Sequence, residues 1–379
     1  MQPFDMHVIE IEGTPRQRGR SHGEQLRPQI HAIFDYGRES LAKAGGPPLE
    51  AIAAAFQAAT GHLQAARRWT PDLVEELQGI AEGAAVDLGV LWAFQCQDES
   101  YWFNTGQTGR FPRHPNPDRC SSLGLPARDG QPTLLAQNLD TPVLYQGRQT
   151  LLHIRYPDSD RQAYVVTEPG LLGICGLNSS PLGVCQNTLA IKLAYDPDGL
   201  PAMLVARALI DQPDLASARR FLRAIRHASG INYMLADKDH VEDYECSTDQ
   251  VRRLLPTTPE ARLAHTNHPL VSNDLLDLAK VSDDTRLYQR LSNEHSAQRM
   301  GCLQQRFLQE NEPVTVESIK QVLSSHEPPE FPICRHLPDD PDPMRGMTNN
   351  SLVMALDSQP ELHLTSGPPC MSEYRVFHF

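Results

Sequence analysis

A layered α+β fold is predicted by three observations along these 379 residues. The first hundred residues carry helical periodicity. From residue 120 the chain turns to short apolar runs punctuated by Gly, Pro and Asp. It then returns to helical patterns and again to strands. A four-layer αββα sandwich fits this order, with two packed sheets between helical layers. Charged residues make up 21% of the chain, and no apolar run approaches the ~20 residues of a membrane span, so a globular protein with no membrane partner is expected.

Taken in order, Leu26, Ile30, Ile33, Phe34 and Leu41 form an apolar stripe that predicts a helix from 16 to about 44. An alanine-rich helix is predicted over 49–69. Pro71 suits a first helical turn and opens a third helix containing Leu73, Leu77 and Ile80. A short fourth covers 90–96. Residues 104–119, NTGQTGRFPRHPNPDR, have no period and read as a loop or linker. Strands are predicted at 133–138, 150–156 and 162–167, and the glycine-containing stretch 170–183 reads as a tight turn or hairpin. Helices follow at 201–210 and 214–227, the second with Leu215, Ala218, Leu222 and Ile225 on one face. Strands are predicted at 231–236, 241–246, 251–255 and 262–265, then a helical stretch over 284–324, and final strands at 351–357 and 361–366.

The formal net charge of −13 argues against a nucleic-acid partner, because phosphate binding needs a basic face. Arg219, Arg220, Arg223 and Arg226 fall at the spacing of a solvated helix face. The eight cysteines are dispersed and contain no CxxC pair, which argues against a disulfide scaffold and against a zinc ribbon. The opening MQPFDMHVIEIEG has neither a basic region nor an apolar core of a secretory signal, so a cytoplasmic location is expected.

Common catalytic signatures are missing: there is no GxSxG, no HExxH and no GxxxxGK[ST]. His265 and His268, in HTNH, lack a further ligand at metal spacing and read as two polar loop histidines. No metal is expected, and without a dinucleotide motif no cofactor is expected either. Cys120 stands out. It opens CSSLGL, straight after the polar linker and at the head of the first strand run. That position suits nucleophilic attack, and it equally suits a half-buried cysteine at a strand start. The residues alone leave both readings open.

The segments GRSHGEQL (19–26), CSSL (120–123), QNLD (137–140), GLNSSPLGVCQN (176–187), HTNH (265–268), TRLYQR (285–290), ICRH (333–336) and SGPPC (366–370) occur in an order that resembles the acyl-coenzyme A:6-aminopenicillanic-acid acyltransferase family of N-terminal-nucleophile (Ntn) enzymes. The resemblance implies the αββα fold of Ntn hydrolases. It implies self-cleavage between Arg119 and Cys120, dividing the chain into a mainly helical segment 1–119 and a catalytic segment 120–379. The two would stay together as a heterodimer, with further association left open. Cys120 would be the catalytic nucleophile, Asn267 the oxyanion donor, and Asp140 a group orienting the new ammonium. The last two also have plainer readings, as a turn asparagine and a strand-end carboxylate. Thr285 and Arg286 align with a Ser-Arg pair of the family, against an ordinary helix-surface arginine. Gly176 and Asn178 are carried as substrate-binding candidates, against a plain hairpin. His22 and Gly23 would pack the two segments together. Many relatives have Gly before the nucleophile, whereas this chain has Arg119, whose Cβ resists strained backbone conformations, so slow cleavage, a different local geometry or failure to cleave are all open.

The implied activity is transfer of an acyl group from an amide or thioester onto Cys120. Hydrolysis of a small N-acyl amine or amino-acid amide is the first expectation. Transfer from a coenzyme A thioester or an amide to an amine acceptor is the second. Two other readings stay open: an uncleaved hydrolase with Cys120 as an internal thiol, and a non-catalytic binding protein of the same fold.

Overall fold

A computed structural model of the chain describes residues 6–100, 103, 120–157, 159–189, 195–275, 283–309, 313–336 and 342–379. The predicted linker 104–119 and Arg119 lie outside the described residues.

The N-terminal segment starts with a strand that sequence periodicity does not reveal, β1 (His7–Glu12). Helices follow, among them α1 (Pro15–Gln25), α2 (Arg27–Lys43), α3 (Leu49–Ala59), α4 (His62–Trp69), α5 (Pro71–Ala84) and α6 (Leu88–Gln95). The two long helices predicted here are each broken. Pro28 lacks an N–H and sits in the first turn of α2, and Thr60–Gly61 separate α3 from α4.

The rest of the chain supplies β2 (Ser121–Leu125), β3 (Thr133–Pro142), β4 (Thr150–Arg155), β5 (Gln162–Thr167), β6 (Cys175–Asn178) and β7 (Leu182–Thr188). Helices α7 (Ala202–Ile210) and α8 (Leu215–Ala224) come next, then β8 (Ile231–Ala236), β9 (Val241–Cys246), β10 (Val251–Leu254) and β11 (Leu263–His265). The chain continues through α9 (Asp283–Leu303), a five-residue π segment, and α10 (Val316–Leu323). It ends with β12 (Gly346–Leu356), β13 (Glu361–Leu364) and β14 (Arg375–His378). The single helical stretch predicted over 284–324 is thus two helices.

One sheet runs β1-β4-β5-β6-β7-β8-β9-β10 and the other β11-β2-β3-β12-β13-β14. Side chains alternate across each strand, so the period-2 pattern assigns every residue to a layer. In β4 and β5, Leu152 and Val165 face the helices α1–α8, while Leu151 and Val166 face the other sheet. In β3 and β12, Leu135, Leu352 and Met354 enter the space between the sheets. Leu134, Ala136, Val353 and Ala355 face α9 and α10. Both faces of each sheet are covered, which is why these strands read as continuous apolar runs. The architecture is the αββα sandwich. No helix among the described residues is long and apolar enough to cross a membrane.

The N-terminal segment is woven into this frame. β1 pairs in parallel with β4, His7 against Thr150. Burial pushes the His22 pKa down to about 4, with the charge of Arg207 adding to it, so the neutral ring accepts a hydrogen bond from the Gly170 N–H at 3.1 Å. Gln95 brackets the same turn, donating to the Gly170 carbonyl and accepting from the Leu172 N–H. The Glu99 carboxylate accepts from the Ala202 N–H at the start of α7 and from Ser229. Gly23 does something different from His22: it lets α1 approach α5, where an added Cβ would stand 2.3 Å from the Ile80 carbonyl oxygen.

Candidate active site

Strand register brings three of the sequence candidates to one end of the smaller sheet. β2 lies between β3 and β11. Ser121 pairs with Asn138, so Asp140, two residues on, falls beside the head of β2. On the other side Ser122 pairs with His265, so Asn267, two residues beyond it, falls level with Cys120. Cys120 is buried, with its Sγ 4.0 Å from the Asp140 carbonyl oxygen. Its side chain joins the apolar layer between the sheets.

A residue that sequence reasoning missed holds this arrangement. Arg299, in the last turns of α9, is fully buried. Its Nη1 donates to the Cys120 carbonyl oxygen at 2.7 Å and to Ser121 Oγ at 2.9 Å, and its Nη2 donates to Asn267 Oδ1 at 2.8 Å. One planar guanidinium therefore ties the backbone of the thiol residue to the amide of Asn267. Burial lowers the Arg299 pKa to about 10, against the negative charge of Asp140 and Cys120, and it stays protonated near neutral pH.

The same contact fixes which way Asn267 points. With Oδ1 accepting from Arg299, the NH2 end faces away and donates to the Thr188 carbonyl at 2.9 Å, which leaves its second N–H for another acceptor. Ser296, one turn before Arg299, accepts from the Asn267 N–H at 2.7 Å and bonds the His268 ring. Asp140 Oδ1 accepts from the Thr348 hydroxyl at 2.7 Å across the β3–β12 pair.

The remaining candidates are not brought to this point. Arg286 is exposed and ion-pairs with Asp283 at the start of α9. It lies thirteen residues from Arg299, about 20 Å along a helix. Thr285 precedes it in α9, and its side chain lies outside what the structure describes. The Ser-Arg pair of α9 that touches Cys120 and Asn267 is Ser296 with Arg299, one turn apart. Gly176 and Asn178 serve the sheet. A Cβ at Gly176 would stand 2.1 Å from the Tyr164 carbonyl oxygen on β5. Asn178 donates to the carbonyls of Ile210 and Gln212 and accepts from Ser180 and Leu182, closing the β6–β7 turn.

His265 is no loop residue. It lies buried on β11 with its Nε2 3.0 Å from Glu245. Burial and neighbouring positive charge lower the His268 pKa to about 4, leaving it neutral. Burial also pushes up the pKa of Cys96, Cys175, Cys185, Cys246, Cys302 and Cys334, so those six thiols stay protonated and are poor nucleophiles.

A protein-family comparison matches residues 127–343 to the acyl-coenzyme A:6-aminopenicillanic acid acyl-transferase family, more than half of the 379-residue chain. The chain belongs to that family. The matched region holds Asp140, Asn267 and Arg299 and begins just after Cys120. No curated protein matches the chain. Among solved structures, a mutant of conjugated bile acid hydrolase from Clostridium perfringens is similar, with 11% identity and a TM-score of 0.41 over 69% of this chain and 97% of that one. Penicillin V acylase from Agrobacterium tumefaciens is similar at 14% identity and a TM-score of 0.36, over 69% of this chain and 86% of that one.

Proposed function

We propose that this member of the family is a cysteine N-acyl amidohydrolase that matures by cutting itself between Arg119 and Cys120. The observation that carries the reading is the Arg299 fork, which holds the Cys120 carbonyl and the Asn267 side chain together at the head of β2. In the precursor the Cys120 thiol adds to the Arg119 carbonyl carbon. The Arg119–Cys120 C–N bond breaks, its nitrogen takes a proton to become an α-amine, and water hydrolyses the thioester. The freed α-amine, with an ordinary pKa of about 7.7–8, then accepts the thiol proton near neutral pH. Nucleophile and base reside on one residue.

In turnover the thiolate attacks the substrate acyl carbon. The second N–H of Asn267 donates to the developing oxyanion, and Asp140 favours the ammonium form of the α-amine, which returns the proton to the leaving amine. Water completes hydrolysis of the acyl-thioester. The substrate class is a small N-acyl amine or amino-acid amide.

Trapping tests this reading. The mature enzyme is quenched in acid during turnover of an N-acyl amide panel, and the mass of the Cys120-bearing piece is measured. An increase by the mass of the acyl group on Cys120, absent in Cys120→Ala, is expected. Steady turnover in Cys120→Ala would overturn the assignment.

A further inference from the structure

We infer that Cys334, Cys370, His326 and His336 form a binding site for one zinc-class metal ion beside the smaller sheet. The donors come from three separate stretches: the turn after α10, the segment entering β12, and the loop between β13 and β14. Only the fold assembles them, which is why no ligand spacing appears in the sequence. Cys334 Sγ and Cys370 Sγ stand 3.4 Å apart, and donor atoms of Cys334, Cys370 and His326 all fall within 4.8 Å of one another. His336 Nε2 lies 3.2 Å from His326 Nε2.

Zinc with two thiolates and two imidazoles has bonds of about 2.3 and 2.0–2.1 Å, which places tetrahedral ligands roughly 3.3–3.8 Å apart. The sulfur pair and the nitrogen pair are already near that separation. His326 already lies within reach of both sulfurs, and a shift of the adjacent His336 ring would complete the set. A donor set of two sulfurs and two imidazoles in tetrahedral reach suits zinc.

The two imidazoles meet nitrogen to nitrogen at hydrogen-bond distance, a contact that a bound cation would replace. The other ring nitrogen of His336, Nδ1, is buried without a partner among the described residues. The buried Cys334 thiol would lose its proton on binding, as would Cys370, so uptake releases protons.

The ion would have a structural role. Arg335, between two ligands, donates its N–H to Thr348 Oγ1 at 2.9 Å, and the Thr348 hydroxyl donates to Asp140. A metal at this point fixes the backbone that orients Thr348. The inference stands independently of whether Cys120 is the nucleophile.

Cobalt titration of the reduced, metal-free full chain tests it. One equivalent of Co2+ is expected to produce the visible bands of tetrahedral cobalt and a thiolate charge-transfer band. One equivalent of Zn2+ should abolish both. Cys370→Ser and His326→Ala, both at exposed positions and checked for fold by circular dichroism, should weaken cobalt binding at least tenfold, whereas Cys302→Ser should not. A wild-type chain that takes up no cobalt after reduction overturns the inference, as would a Cys334–Cys370 disulfide forming in its place. Bands that survive Cys370→Ser overturn it equally.

Discussion

Among single residues the central group is Arg299. Lysine keeps its charge but cannot span three acceptors on one planar fork. Arg299→Lys is expected to lose at least one charge-assisted bond, about 1.5–3 kcal/mol of stability by chemical denaturation, and to slow self-cleavage. Unchanged stability and cleavage would show that the fork positions nothing. Asn267→Ala is expected to lower kcat by roughly 10²–10³-fold with little change in KM, since in the proposed mechanism the lost N–H acts on the oxyanion. A variant that loses only substrate affinity would contradict that role. Cys120, Asp140 and Asn267 are legible in the sequence because their residue types and neighbouring segments carry the family pattern. Arg299 is not, because its role depends on strand register and on which turn of α9 faces β2. The same gap explains Thr285 and Arg286, whose order in the sequence resembles the pair that Ser296 and Arg299 make in space.

Among the buried pairs, Glu245 and His265 hold shifted protons. Burial opposes ionisation of Glu245, yet His265 and the loop groups of Leu270 and Ser272 hold its pKa down to about 2. Its folded pKa lies below the ordinary 4.5, so its contribution to stability is present above pH 4.5 and drains away as pH falls toward 2. Burial pulls His265 down, but Asp243 and Glu245 raise it above 6.5, so its contribution is full below that value and fades as pH climbs through the raised pKa. Glu245→Gln is expected to flatten the acid limb of the denaturation profile between pH 4.5 and 2. An unchanged limb would place acid sensitivity elsewhere.

Between elements, α1 and α5 meet backbone to backbone through paired glycines. A Cβ at Gly19 would stand 1.9 Å from the Glu76 carbonyl oxygen, and one at Gly79 would stand 2.2 Å from the Arg16 carbonyl oxygen. Neither neighbour is a flexible side-chain end, so Gly79→Ala is expected to cost about 1–3 kcal/mol or more. Gly37, in the interior of α2, meets nothing nearer than Leu49 Cδ2 at 3.7 Å. Gly37→Ala is expected to stabilise by about 0.4–1 kcal/mol. Thermal melts of the two variants should move in opposite directions, and a shared direction would show that the close approach is not what those glycines serve. Strands buried on both faces, such as β5 and β8, are legible with their limits, because an apolar-rich run of that length has few other uses. β1 and β14 are not. Only alternate residues of β1 are buried, and β14 has no residue fully buried.

For the molecule as a whole, cleavage is not expected to release the N-terminal piece. β1 is a strand of the larger sheet, and α1–α6 cover one face of it. Separating the two would strip that layer from the core, so the pieces should migrate together under native conditions. Everything proposed for turnover depends on the chain cutting itself ahead of Cys120. Intact mass under denaturing conditions, on wild type and Cys120→Ala, decides that point. From 42.3 kDa divided by chain length, wild type should give pieces of about 13 and 29 kDa, the larger beginning at Cys120, while the variant stays whole. A wild-type chain that stays whole, or a variant that cleaves as readily, would refute self-cleavage by Cys120.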